Sequence, residues 1–148
     1  GGLTVEENMR PASTSGRFDD DRLGRVFALF PAMEKFWTKQ AFALSGGQKQ
    51  MLAISRAIVE KRELILIDEP TKGLAPSIIR AMIAAFQEIS RDTTILLVEQ
   101  NFLFASSLGR NVCVIDDGRI VHHGGMGELA EDKALQTRLL SLSLDAHQ

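Results

Sequence analysis

Three short apolar runs stand out in the second half of the chain. They are "LILI" (64–67), "TTILLV" (93–98) and "VCVI" (112–115). Runs that are apolar at every position are typical of strands buried on both faces of a parallel sheet. Between the first two runs the apolar residues recur at helical spacing, at Ile79, Met82, Ile83, Phe86 and Ile89. The pattern predicts a strand–helix–strand crossover, expected to be right-handed, and thus an α/β fold.

The first 62 residues have a helical pattern instead. Ser45 and Gln48 have the spacing of a capping box, which predicts a helix over residues 45–61 with Ser45 as its N-cap. Residues 1–42 are expected to form loops and short helices, with Pro31 interrupting the helical spacing. After the third apolar run, Asp117–Gly118 predicts a hairpin turn, and one or two surface helices should complete the chain.

Composition narrows the possible partners and the compartment. The chain has 148 residues and a formal net charge of -2, so no overall basic field favours binding to nucleic acid. No apolar run approaches the length needed to cross a bilayer. The single cysteine, Cys113, lies in an apolar run, and we interpret it as a buried thiol that suits a reducing compartment.

Polar residues follow each of the three apolar runs. They are Asp68–Glu69, Glu99–Gln100 and Asp116–Asp117, and ligands of parallel sheets bind beyond the carboxyl ends of the strands. In phosphate chemistry an aspartate at a strand end can hold Mg²⁺ through water, and a neighbouring glutamate can polarise an attacking water. For Asp68–Glu69 alone, the alternative of a strand that simply ends in a solvated turn is equally open.

The stretch "LSGGQ" (44–48) places two glycines at the start of the predicted helix. A helix N-terminus presents unpaired N–H groups and a partial positive charge, and glycines let an anion approach the backbone closely. On this stretch alone, an ordinary capped helix is the favoured interpretation.

Taken together, the two motifs resemble those of the ATP-binding cassette (ABC) ATPases. "LSGGQ" resembles the signature motif and "LILIDE" (64–69) resembles Walker B, with Glu69 in the catalytic glutamate position. "GLAP" (73–76) falls where the D-loop belongs, and "LLVEQN" (96–101) falls where the switch loop belongs. "GLAP" with "VEQN" is similar to the ATPases of branched-chain amino-acid importers.

One departure from the family pattern affects the expected chemistry. Most ABC ATPases have a histidine in the switch loop where this chain has Gln100. A glutamine can donate and accept hydrogen bonds, but it cannot take up a proton near neutral pH. We therefore expect Gln100 to position the γ-phosphate or the attacking water rather than to act as an acid or base.

The resemblance implies a fold and a set of site residues. The fold would be a partial P-loop NTPase (ABC ATPase) core with a mainly parallel sheet in residues 63–148, plus a helical subdomain carrying the signature motif in residues 1–62. ATP and Mg²⁺ would be the cofactors, with Asp68 holding Mg²⁺ through water and with Glu69 and Gln100 catalytic. The residues that would bind the ATP of a partner subunit are Ser45, Gly46, Gly47 and Gln48.

The resemblance also implies partners and a location. A second ABC ATPase subunit would pair head to tail with this one, and transmembrane permease subunits would contact the helical region; no nucleic acid is implied. The candidate contact residues are Phe27, Phe30, Phe36 and Trp37, of which we expect about half or more to be ordinary core residues instead. The protein would be cytoplasmic and peripheral on the inner face of the membrane, as the ATPase of an importer for branched-chain amino acids.

Three other functions stay open at this point. ATPases of importers for urea or short amides share much of the pattern, and non-transport ABC proteins share the signature and Walker B. A non-enzymatic interaction module is the third alternative. The sequence contains no G-x-x-x-x-G-K-[ST] phosphate loop and no Q-loop glutamine before "LTVEEN" (3–8). We therefore expect the chain to be the C-terminal portion of an ABC ATPase, and by itself neither to bind ATP tightly nor to hydrolyse it.

Overall fold

The computed structural model describes residues 2–145, with side chains described for residues 2–139. The chain divides into two compact units, Gly1–Glu99 and Gln100–Gln148. This division by contacts does not test the boundary between residues 62 and 63, which separates functional regions and stays a prediction. The first unit contains α1 (Val5–Met9), α2 (Asp20–Leu29), α3 (Pro31–Lys35), α4 (Gly46–Ile58), β1 (Leu64–Asp68), α5 (Pro76–Ile89) and β2 (Thr94–Val98), with 3₁₀ turns at Arg10–Ala12 and Ala41–Ala43.

The helix predicted around the glycine pair is present as α4. Ser45 is its N-cap and forms the predicted capping box with Gln48, while the helix ends at Ile58, three residues earlier than expected. Helices α1, α2 and α3 all contact α4, so this helix is the centre of the helical part of the first unit. The α4 side chains that are buried in this packing are Met51, Leu52, Ile54, Ser55 and Ile58.

The beginning of the chain is held against residues 37–41 by backbone hydrogen bonds. The N–H of Val5 donates to the Lys39 carbonyl at 2.9 Å, and the N–H of Glu6 donates to the Trp37 carbonyl at 3.0 Å. Thr4 and Glu7 form a capping box for α1 that the sequence analysis missed, although the spacing Thr-x-x-Glu is its usual signature. Val5 and Met9 are fully buried as a result.

Pro31 separates two helices as the sequence predicts. Helix α2 ends at Leu29 and α3 begins at Pro31, where the missing N–H of proline costs nothing. Phe30 between them is almost fully buried, so it is one of the candidates that belong to the core and not to a partner surface. Phe27, Phe36 and Trp37 are partly exposed, and Trp37 packs edge-on against Phe27 with ring centroids 5.1 Å apart.

The predicted crossover is confirmed in the first unit. Strands β1 and β2 pair in parallel, from Leu64 opposite Thr94 to Asp68 opposite Val98, and α5 connects them. Pro76 occupies the first turn of α5 as expected. The face of α5 that is buried consists of Met82, Ala85, Phe86 and Ile89.

The expectation that these strands are buried on both faces was wrong for the described residues. Ile65 is buried, but Leu66 is 70% exposed and Leu96 is 59% exposed. Successive side chains of a strand point to opposite faces, and in this sheet of two strands only the face that includes Ile65 is covered. The apolar positions on the exposed face are Leu64, Leu66, Leu96 and Val98.

The second unit contains α6 (Phe102–Leu108), β3 (Asn111–Asp116), β4 (Arg119–Gly125), α7 (Met126–Glu131) and α8 (Lys133–Asp145). The predicted hairpin is confirmed: β3 and β4 are antiparallel, and the turn residues Asp117 and Gly118 both have positive φ, at 43° and 71°. It was wrong to expect the third apolar run in the parallel sheet, because in the described residues β3 pairs with the next strand along the chain. Cys113 is exposed on β3, which corrects the expectation of a buried thiol.

The one or two tail helices predicted from the sequence are present as two, α7 and α8, and they close the core of the second unit. Met126 and Leu129 of α7 and Leu139 of α8 are buried together. Partly buried apolar residues from α6, β3 and α8 pack against them, including Phe102, Val112 and Leu135. Among the described residues, no helix combines the length and apolarity needed to span a bilayer.

A paired arginine connects α2 to the loop that follows α5. Arg25 donates from Nη1 to Asp92 Oδ2 at 2.6 Å and from Nη2 to Asp92 Oδ1 at 2.9 Å. It also donates from Nη2 to the Glu88 carbonyl at 3.3 Å. The hydrogen bond from Arg25 is the main reason that the pKa of Asp92 is lowered. This two-pronged contact joins the helical segment to the crossover within the first unit.

We predict that Asp92→Asn lowers the free energy of unfolding at pH 7 by less than about 1 kcal/mol, because the pair is partly exposed. A lowered pKa means that the folded state favours the ionised carboxylate, so this stabilisation is present above the ordinary aspartate pKa of 3.8. It should fade as the pH falls through the lower pKa of the folded state. Urea unfolding at pH 7 and near pH 3 measures the difference in free energy of unfolding between the wild type and Asp92→Asn. The variant Glu63→Gln, at an exposed position, is the control. A difference that persists unchanged in acid would contradict this account.

Candidate functional site

The carboxyl end of the parallel sheet brings together three acidic residues of the first unit. Asp68 is the last residue of β1 and is exposed, and it lies opposite Val98 in the register. The N–H of Glu69 donates to the Val98 carbonyl at 2.8 Å, so the pairing of the strands continues one residue further. Glu99 follows Val98 directly. The predicted edge is therefore formed by Asp68, Glu69 and Glu99.

Glu69 has a strained backbone. Its φ is 42°, and among the described non-glycine residues only Asp117 also has a positive φ. This left-handed conformation crowds the Cβ of an L-residue and costs about 1–2 kcal/mol. The chain turns sharply here, since the N–H of Lys72 donates to the Glu69 carbonyl at 3.2 Å. Strain of this kind is common at functional sites, where surrounding contacts must hold it.

The carboxylate of Glu69 is paired with a lysine that the sequence analysis missed. Lys72 Nζ lies 2.9 Å from Glu69 Oε2. The hydrogen bond that Lys72 donates to Glu69 raises the pKa of Lys72, and the charges of Glu69 and Asp68 add to this effect. Lys72 is well exposed, so the ion pair is weak and can open readily. The only sequence signal was a basic residue three positions after the glutamate.

A second contact connects the turn after β1 to the end of β2. Thr71 is buried, and its hydroxyl donates to Glu99 Oε2 at 2.7 Å. The backbone N–H of Thr71 donates to the same oxygen at 3.3 Å. From the sequence, Glu99 was only a polar residue at a strand end. The structure shows it as the acceptor that holds the turn containing Glu69 against β2.

The N-terminus of α4 carries the four residues predicted to bind a partner's nucleotide. Ser45 Oγ accepts from the N–H of Gln48 at 3.3 Å, and Gln48 Oε1 accepts from the N–H of Ser45 at 2.9 Å. The Ser45 hydroxyl can still donate a hydrogen bond of its own. Gly46 and Gly47 occupy the first helical positions, whose N–H groups have no partner within a helix. This end of α4 therefore offers donors suited to an anion.

The two glycines differ in their surroundings. A Cβ on Gly47 would lie 3.2 Å from Ile78 Cγ2 and 3.8 Å from Leu74 Cδ2, so α4 begins in close contact with the segment around "GLAP". A Cβ on Gly46 would meet nothing within 4 Å. Packing explains a glycine at position 47. It does not explain one at position 46, where the backbone is open to an approaching group.

The remaining predicted residues lie in the second unit. Gln100 begins the second unit, and its catalytic role stays a prediction. Asp116 and Asp117 lie at the turn of the β3–β4 hairpin, so it was wrong to expect them at the end of a strand of the same parallel sheet.

The residues present suit the groups that the resemblance implies. The carboxylate of Asp68 is exposed at the strand end, and carboxylates and water are the ligands that Mg²⁺ prefers. The N–H groups and the hydroxyl at the start of α4 are the donors expected for a phosphate.

Comparison with known proteins identifies the class to which this fold and edge belong. A family model described as ABC transporter matches residues 1–72. The chain belongs to the ABC transporter family, and its fold is that of part of an ABC ATPase domain.

The relatives of this chain include ATP-binding proteins of amino-acid transport. It is 40% identical over 82% of its length to the high-affinity branched-chain amino acid transport ATP-binding protein BraG of Pseudomonas aeruginosa, covering 53% of that protein. It is 34% identical over 90% of its length to the probable branched-chain amino acid transport ATP-binding protein LivF of Archaeoglobus fulgidus, covering 58%. The chain thus spans little more than half the length of these relatives. Methionine and thiamine import ATP-binding proteins also match, at 36% and 31% identity.

Solved structures support the fold alone. The ADP conformation of MJ1267, an ATP-binding cassette of an ABC transporter, aligns with a TM-score of 0.71 and 18% identity. The alignment covers 96% of this chain and 63% of that one.

We predict that Gly46→Ala raises the free energy of unfolding of this chain by about 0.4–1 kcal/mol, because alanine lowers the entropy of the unfolded state and nothing crowds its Cβ. Gly47→Ala should gain less or lose stability, since its Cβ would press on Ile78 Cγ2 at 3.2 Å. Thermal and urea unfolding compare the two variants directly. Equal stabilisation by both would show that the contact with Ile78 does not constrain this helix.

Proposed function

We propose that the full-length protein is the ATP-hydrolysing subunit of an ABC importer. The observation that carries this proposal is the edge at the end of β1, where exposed Asp68 is followed by Glu69 in a strained, hydrogen-bonded turn. An aspartate and a glutamate so placed have the two roles that phosphoryl transfer to water requires. Membership of the ABC transporter family supports the same reaction.

Each acidic residue has a separate role in this proposal. Asp68 would hold Mg²⁺ through water, and the ion would offset charge on the phosphates of ATP. Glu69 would accept a hydrogen bond from the attacking water and orient or deprotonate it. Glu69 is only partly exposed and its carboxylate pairs with Lys72, so the ion pair would have to open or shift as water binds. Gln100 would position the γ-phosphate or the water by hydrogen bonding.

The signature residues would act on nucleotide held by another subunit. Ser45, Gly46 and Gly47 present a hydroxyl and two N–H groups at the positive end of α4, with Gln48 capping the same turn. The open space at Gly46 supports close approach of a phosphate. This arrangement suits a head-to-tail pair of ATPase subunits in which ATP lies between them.

Transport would follow from opening and closing of that pair against permease subunits. The partly exposed aromatic residues Phe27, Phe36 and Trp37 of the helical segment are the proposed contact with the permeases. The protein would then be cytoplasmic and peripheral on the inner face of the membrane. Helix α4 would transmit movement between signature and permease contacts, because α2 and α3 pack on it.

Branched-chain amino acids are the proposed substrates. The names of the BraG and LivF relatives support them, together with the "GLAP" and "VEQN" segments noted above. Methionine, thiamine and urea or amide importers are the second candidates, since methionine and thiamine import proteins also match this chain.

We predict that Glu69→Gln in the full-length protein lowers kcat for ATP hydrolysis by at least about 100-fold, because an amide cannot act as the base. ATP binding should persist, since the change keeps the size of the side chain. A phosphate-release assay and a nucleotide-binding titration measure the two properties.

Glu63→Gln is the matched control for that experiment. Glu63 is exposed and directly precedes β1, whereas Glu69 directly follows the same strand. This variant should hydrolyse ATP at the normal rate. Near-normal turnover by Glu69→Gln would remove Glu69 from the catalytic role and with it the main support for the proposal.

A further inference from the structure

The strained turn at Glu69 needs contacts on both sides to persist. On its N-terminal side, the Glu69 N–H is bonded to the Val98 carbonyl. On its C-terminal side, Pro70 is fully buried and Thr71 donates two hydrogen bonds to Glu99. The two anchors end at consecutive residues, Val98, which is the last residue of β2, and Glu99, which follows it. The backbone of Glu69 is therefore fixed by the end of the neighbouring strand.

We propose that Thr71 and Glu99 are positioning residues for Glu69. Neither would touch ATP in this role. The hydroxyl and the N–H of Thr71 both donate to one carboxylate oxygen of Glu99. These two hydrogen bonds hold the turn after β1 and thereby fix the direction of the Glu69 side chain. The proposal rests on the function proposed for Glu69 and adds two residues that act through it.

The chemical reason for such a clamp is the sensitivity of catalysis to position. Displacing a catalytic group by about 1 Å can lower a rate by about 100-fold. The Lys72 ion pair holds the Glu69 carboxylate only weakly, because Lys72 is exposed. The Thr71–Glu99 contact is less exposed and consists of two hydrogen bonds to one carboxylate oxygen, so it is the stronger restraint on this turn.

The test compares Thr71→Val with Thr71→Ser in the full-length protein. Valine keeps the shape of threonine but loses the hydroxyl, so kcat should fall by about 10-fold or more, with the KM for ATP changed by less than about 2-fold. Serine keeps the hydroxyl and should retain kcat within about 3-fold of the wild type. An unchanged kcat in folded Thr71→Val overturns the proposal.

Thr93→Val is the matched control for the loss of a buried hydroxyl. Thr93 is buried and directly precedes the first residue of β2. Its hydroxyl donates to the Arg62 carbonyl at 3.1 Å. This variant also loses the hydrogen bond of a buried threonine hydroxyl, at the end of β2 that is distant from Glu69. It should lower Tm to a degree similar to Thr71→Val while leaving kcat unchanged. If kcat falls in both Thr71→Val and Thr93→Val in proportion to the loss of Tm, the positioning role is overturned.

A second experiment separates positioning from general damage. In a Glu69→Gln background, adding Thr71→Val should lower the residual single-turnover rate by less than about 2-fold, because the group being positioned is already gone. A further fall of about 10-fold would show that Thr71 acts through something else. If Thr71→Val does not fold, Glu99→Gln decides: its neutral acceptor should lower kcat by at least about 3-fold, and a smaller effect overturns the proposal.

The outcomes distinguish this inference from the proposed function. Normal turnover by Glu69→Gln would overturn the function, whatever Thr71 does. Loss of turnover in Glu69→Gln with normal turnover in folded Thr71→Val would overturn only the positioning role.

Discussion

Parallel pairing of β1 with β2 is the constraint on which the first unit depends. The pairing requires a crossover, which α5 provides by burying Met82, Phe86 and Ile89. Its last bond, from Glu69 to Val98, places the turn after β1 beside the end of β2. The same crossover brings Ile78 against Gly47, so the start of α4 is positioned by the element that connects the strands.

Local signals in the sequence were sufficient for most elements. The capping box at Ser45, the proline starts of α3 and α5 and the Asp117–Gly118 turn each depend on residues within one or two turns of the chain. The separation of β3 from the parallel sheet in the described residues and the exposure of Leu66 and Cys113 could not be predicted in this way. An apolar run has the same appearance whether its second face is covered or not, because coverage depends on distant parts of a fold.

Only the residues of the candidate site that belong to sequence motifs could be predicted. Asp68, Glu69 and the glycine pair were found from spacing and from resemblance to a family. The contacts of Lys72 and Thr71 that hold Glu69 and its turn could not be predicted. They depend on the left-handed backbone conformation of Glu69, which turns the chain after β1. Propensity predicts against that conformation for glutamate. The positions where such reasoning fails are the ones where surrounding contacts override local preference.

At position 69, the backbone conformation and the proposed chemistry favour different residue types. Glycine or asparagine would adopt this φ at lower cost. Neither has a carboxylate, so neither could serve as the base proposed here. A glutamate at this position makes the protein less stable than its own fold would allow, and selection for stability alone would replace it. With the role proposed for Glu69, position 69 would be a local trade-off between stability and activity.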